Sequence, residues 1–130
     1  MITLDTNLLA RLLLRDDLRQ HDQVVRLLAQ PGSFTAPVTV FLELVWVLEV
    51  NDCTRAEIVT GMRLLLALQN FKPDRPEALG LALDWYGKGM DFADALHLAL
   101  GAHSTQLWTF DNSFARKARH LGTSPAVSTP

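Results

Sequence analysis

Four acids in this chain stand where a carboxylate can react instead of merely solvating a surface. Asp5 closes the short apolar run Met1-Ile2-Thr3-Leu4, and a hydroxyl (Thr6) and an amide (Asn7) follow it before a Leu-rich segment begins. Asp111 closes a second apolar run, Leu107-Trp108-Thr109-Phe110. Glu43 lies between Leu42 and Leu44 in a nearly uncharged stretch, and Asp94 comes three residues after Asp91. An open α/β sheet keeps its chemistry in the crevice beyond the carboxyl ends of its strands. Gathered there, four carboxylates repel, and without compensation at least one is protonated. A divalent cation removes that conflict. Oxygen donors, with no Cys cluster and no His pair at ligand spacing, point to Mg²⁺ or Mn²⁺. Such ions favour phosphate oxygens, polarise phosphorus and lower the pKa of an attacking water. Thr6 and Asn7 would support a ligand or a water behind the ion.

Each acid also has a plainer reading. Asp5 and Asp91 can cap the helices that follow them, and Asp94 is then the third-position acid that a helix dipole favours. Glu43 can sit at a helix edge, although burying it unpaired would cost several kcal/mol. His97 reads as a packed or hydrogen-bonded helix histidine. Among cations, Arg11 and Arg15 continue the stripe from Asn7, each about 5.4 Å further along a helix. They read as a phosphate track or as a solvated face partly neutralised by Asp16 and Asp17. Arg116, Lys117 and Arg119 form the densest basic cluster.

The elements that must position these residues follow from periodicity. Leu8, Leu9, Leu12 and Leu13 mark a first helix, and residues 19–30 a second, stopped by Pro31-Gly32. Residues 34–36 read as a strand. Residues 38–50 are too long for one strand and read as a helix, apolar nearly all round and hence buried or in an interface. Thr54-Arg55-Ala56-Glu57 is a capping box. Residues 68–71 read as a third strand, 74–86 and 91–100 as helices, and 107–110 as a fourth strand. A last helix reaches residue 121, and residues 125–127 read as a short edge strand. Strands alternating with helices demand a mainly parallel sheet covered on both faces. The expected fold class is therefore α/β, a three-layer α/β/α arrangement around four to five strands. Right-handed crossovers would bring the four acids to one edge of that sheet.

At 130 residues, 48% hydrophobic and 20% charged, the chain suits one globular domain spanning residues 1–130 and is not disordered. Net charge −2 gives no global attraction to nucleic acid or anionic membrane. The single Cys53 cannot form an internal disulfide, Met1 leads straight into the first strand, and no apolar run spans a bilayer. A cytoplasmic protein without a membrane anchor is expected.

The residues LDTN, the Glu of FLELVWVLE, DFADALHLAL and LWTFD, in that order, resemble the PIN-domain family, in particular toxin ribonucleases of the VapBC type. The similarity runs over essentially the whole chain. It implies a Mg²⁺- or Mn²⁺-dependent endoribonuclease acting on RNA. Asp5, Glu43 and Asp94 match the three family acids, Asp111 the more variable fourth, and Thr6 the hydroxyl supporting the first. Asp91 falls where an acid is frequent but not required. Arg11, Arg15, Arg116 and Lys117 become candidate RNA contacts. The resemblance also implies a homodimer and a cognate antitoxin. The antitoxin's C-terminal segment would lie in a hydrophobic groove near Leu44, Trp46 and Val47 or on the first two helices. Trp46, Trp85 and Trp108 otherwise read as core residues. Two alternatives remain: a receiver-like or haloacid-dehalogenase-like phosphoryl acceptor, and a non-catalytic RNA-binding module on the same fold. The first looks to need a second acid beside or two residues after Asp5, where Thr6 and Asn7 stand. The second gains nothing from clustered negative charge.

Overall fold

Parallel strands cannot be joined by a tight turn and need a crossover long enough to return the chain. The computed structural model describes residues 1–130 and supplies that crossover with two helices. β1 (Ile2–Thr3) leads into α1 (Thr6–Leu14) and α2 (Leu18–Leu28), and β2 (Phe34–Thr35) returns parallel to β1. The Leu4 amide extends the ladder by donating to the Thr35 carbonyl at 2.8 Å. Then come α3 (Val38–Val50), α4 (Arg55–Leu66), α5 (Pro76–Gly87), α6 (Phe92–Leu100), β3 (Gln106–Trp108), α7 (Asn112–Leu121) and β4 (Ala126–Ser128). The chain divides into two compact units, Met1–Pro76 and Glu77–Pro130.

In the N-terminal unit α1 packs on both α2 and α3, and α3 on α4. Leu9, Phe41, Leu44 and Met62 are fully buried, and the Phe41 and Phe71 rings lie 6.1 Å apart in a tilted arrangement. The capping box at Thr54 is complete, with both the Thr54 hydroxyl and the Glu57 carboxylate bonded to backbone amides. In the C-terminal unit β3 and β4 are parallel, joined by α7, which packs on β4. Tyr86 and Phe92 meet edge to face at 5.6 Å.

The α/β order agrees with expectation, but the strands pair two by two and do not form one sheet of four or five. The third strand, expected at residues 68–71, is reduced to a bridge between Phe34 and Phe71. Three backbone bonds still tie residues 70–74 to Phe34 and Ala36, from Phe34 to Asn70, Lys72 to Phe34 and Asp74 to Ala36. Pro73 falls within that run and has no N–H to donate, so a regular ladder cannot propagate. The edge strand near the C-terminus is present as β4. No helix is long and apolar enough to cross a membrane.

α3 departs from expectation in a way that bears on Glu43. Val40, Phe41, Leu44, Val45 and Leu48 are buried, whereas Thr39, Glu43, Trp46, Glu49 and Val50 are exposed. The helix is two-faced, and its outer face carries Trp46 at 64% exposure. Of the three tryptophans only Trp85 is core; Trp108 is exposed as well.

Candidate active site

Asp5 ends β1 with extended backbone and serves as N-cap of α1. Its Oδ1 accepts a hydrogen bond from the Thr6 amide at 2.8 Å. That cap fixes the carboxylate at the strand exit while leaving Oδ2 free for another partner. Thr6 is the chain's one buried polar residue, at 5% exposure, and its hydroxyl donates to Glu43 Oε1 at 3.2 Å. The bond ties the start of α1 to α3 and bridges 37 residues of sequence. Glu43 is therefore exposed and held by a single hydrogen bond, and the expected penalty for burying it does not arise.

Beside Asp5 a cleft of about 410 Å³ opens between α1 and α2, lined by Asn7, Leu8, Arg11, Gln20, Gln23, Val24 and Leu27. Arg11 faces this cleft but is paired with Asp16 at 2.7 Å. Arg15 leaves the helical stripe on which it was expected. α1 ends at Leu14, and Arg15 is its left-handed cap, φ 54°, with its amide donating to the Arg11 carbonyl. The phosphate track from Asn7 thus reduces to a partly neutralised Arg11.

In the C-terminal unit two more acids act as caps. Asp91 caps α6 by accepting from the Asp94 amide at 3.2 Å, and Asp111 caps α7 by accepting from the Phe114 amide at 3.1 Å. Asp94, in the first turn of α6, is half-buried. Burial pushes its carboxyl pKa up, and the negative charges of Asp91 and Asp111 push it further. His97 and Lys117 pull the other way without cancelling the rise. Asp94 thus sits in a concentration of negative charge, the condition that a bound cation relieves. His97 itself is exposed, not packed. Arg116 and Lys117 line a cleft of about 200 Å³ with Lys88, His120 and Leu121.

No group of three or more Asp, Glu, His or Cys side chains forms a ready-made metal cage. The donor chemistry nevertheless fits Mg²⁺ or Mn²⁺. Magnesium is held through one or two carboxylates with several waters and substrate phosphates, not by an all-protein cage. Asp5 and Glu43 in one unit, and Asp94 and Asp111 in the other, are hard oxygen donors of that kind. Capping engages one oxygen of Asp5 and one of Asp111, and leaves the second of each without a hydrogen bond to the protein.

The family model described as PIN domain matches residues 2–120 of this chain. The chain belongs to the PIN-domain family. PIN domains are typically metal-dependent nucleases and act on nucleic acid. No curated protein matches the chain.

Within this PIN domain, the sequence concealed the cap at Asp111, because its partner, the Phe114 amide, lies three residues past the end of LWTFD. It also concealed Lys88 and His120. Lys88 stands between two glycines, Gly87 and Gly89, and that turn was the available signal. Gly89 takes φ +109°, a conformation side chains resist, so the turn that presents Lys88 depends on it.

Proposed function

We propose that this PIN domain is a Mg²⁺- or Mn²⁺-dependent endoribonuclease and the toxin of a type II toxin–antitoxin pair. The observation that carries the reading is the family match together with the Thr6–Glu43 bond, which spends the chain's one buried hydroxyl on orienting an exposed carboxylate. Asp5, Glu43, Asp94 and Asp111 are assigned to the same reaction as metal-binding acids, within one functional domain. When bound, the ion supplies a polarised phosphorus centre and an attacking water of lowered pKa.

The chain's own residues do the rest. Asp5 and Asp111, fixed by their caps, present one oxygen each in a defined direction. Thr6 orients Glu43, and Asp91 orders the first turn of α6 and with it Asp94. Asn7, beside Asp5 in the α1–α2 cleft, is suited to hold a water or a substrate oxygen. Arg116 and Lys117 offer charge to the RNA backbone; Arg11, half-spent on Asp16, offers less, and Arg15 is assigned no contact. For the homodimer and the antitoxin, Trp46 and Val50 on the outer face of α3 are the anchors of choice, large and exposed. Leu44, fully buried, is withdrawn from that surface. The α1–α2 cleft is the second candidate groove.

The test is incubation of purified protein with single-stranded RNA in Mg²⁺, Mn²⁺ or EDTA, with sequencing of the RNA ends. Cleavage at internal phosphodiesters in either metal, absent in EDTA and in Asp5→Asn, is expected. Metal-independent cleavage, or cleavage by Asp5→Asn, removes the reading. Co-expression with candidate antitoxins then addresses the toxin role.

A further inference from the structure

Phe110 is 87% exposed, more than any other large hydrophobic residue, and Trp108, two residues earlier, is 59% exposed. Nothing in the C-terminal unit covers these rings, and Phe110 immediately precedes the cap residue Asp111. A phenylalanine this exposed, beside a candidate catalytic acid, leaves its ring face available to a ligand that can stack on it. A second feature lies further along the same helix, in the C-terminal half of α7. Lys88 from the α5–α6 turn joins Arg116, Lys117 and His120 of α7 around the cleft of about 200 Å³. No hydrogen bond or ion pair engages these four side chains. Lys117 lies close enough to Asp94 for its charge to act on that carboxyl. Six residues of helix separate Asp111 from Lys117, a rise of about 9 Å.

We propose that this face of the C-terminal unit is a single-stranded RNA track. Phe110 stacks on an unpaired base next to Asp111, and the cleft of Lys88, Arg116, Lys117 and His120 holds a backbone phosphate. The inference rests on the nuclease reading for the identity of the polyanion, not for cleavage itself. Because the chain carries a net charge of −2, attraction to RNA has to come from a local cluster such as this one. An aromatic platform next to unpaired cations is the combination that grips single strands, since every base offers a ring face and every linkage a charge. A duplex hides its base faces and would not use Phe110.

The experiment is fluorescence anisotropy of a labelled single-stranded RNA of about 12 nucleotides, in EDTA to prevent cleavage, at several salt concentrations. Each phosphate contact contributes about 0.7 to the slope of log affinity against log salt for single strands. The double variant Lys88→Ala/Arg116→Ala is expected to reduce that slope by about 0.7, the contribution of one phosphate, while Arg19→Ala/Arg26→Ala, a charge-matched pair of exposed changes on α2, leaves it unaltered. Phe110→Ala is expected to weaken binding roughly 5- to 150-fold without changing the slope, and Phe110→Trp to restore it. All these side chains are exposed, so folding should survive; a thermal melt verifies it.

A wild type that does not bind RNA overturns the proposal. So does an unchanged slope in the double variant, or binding to anionic phospholipid vesicles in place of RNA. If Phe110→Ala alters the oligomeric mass and leaves RNA affinity intact, the ring is a protein contact and the proposal is wrong. RNA binding with these signatures but no cleavage in Mg²⁺ or Mn²⁺ leaves the track standing and removes the nuclease reading.

Discussion

Replacing Thr6 with Val isolates the contact on which the site's organisation turns. The substitution keeps the β-branched shape and deletes one hydroxyl, whose partner is Glu43 at 3.2 Å. Losing a hydrogen bond to a charged group costs about 1.5–3 kcal/mol when the partner is stranded without water. Here the partner is exposed, so water takes over the carboxylate, while the buried position gains a methyl group in place of a desolvated oxygen. The net stability change should be at most about 1 kcal/mol, or ~4 °C in thermal midpoint for a chain of this size. Activity should respond differently. Groups that orient a metal-binding carboxylate typically account for about 10–100-fold in affinity or rate. Thr6→Val is therefore expected to melt near the wild-type temperature, to need roughly 10–100-fold more Mn²⁺ for half-maximal cleavage, and to be rescued by Thr6→Ser. The assay is cleavage of a fluorogenic RNA across a Mn²⁺ titration, beside thermal melts. Wild-type metal dependence in Thr6→Val would show that the hydroxyl does not organise the site, and so would a loss of activity matched by a collapse in stability.

Further outcomes follow from the caps and from Asp94. Asp111→Asn should keep the α7 cap and its stability while losing activity, whereas Asp111→Ala should also lose about 1 kcal/mol, because Asn caps as well as Asp and Ala does not. Asp5→Asn should abolish cleavage with a thermal midpoint unchanged or raised, as read in paired melts and activity assays. For Asp94 the folded carboxyl binds its proton more tightly than the unfolded one, whose pKa is 3.8. Stability should then fall as pH rises above that value and reach its full penalty above the raised folded pKa. Asp94→Asn should melt higher than wild type at neutral pH, with the gap closing below about pH 3.8, where both states hold the proton. Millimolar Mg²⁺ or Mn²⁺ should raise the midpoint of wild type by mass action and that of Asp94→Asn by less.

The helices were readable because their signals are local. The Thr54–Glu57 box, the Pro31-Gly32 stop and the apolar periodicity of α4 and α6 each depend on residues within a turn or two. Strands were less readable, since pairing is decided by distant partners; Pro73 breaks a ladder that Leu68 and Phe71 seemed to promise. Glu43 shows the same gap at the site. Its flanking leucines suggested burial, yet neighbours on a helix point about 100° apart. Thr39, Glu43, Trp46 and Val50 share a face at spacings of four, three and four. That stripe is legible in the sequence. Phe110 was not available: in Leu107-Trp108-Thr109-Phe110 nothing distinguishes a ring bound for the core from one left in water. The acids were identifiable by motif, but their capping bonds and the Thr6–Glu43 tie needed coordinates.

Whether these acids bind a divalent ion is read by electron paramagnetic resonance of Mn²⁺, because the free-ion signal falls as the ion is taken up, independently of any substrate. Asp5→Asn and Asp94→Asn should each abolish uptake that wild type shows at millimolar Mn²⁺. Uptake undiminished in either variant, with the fold intact, would show that its acid holds no ion.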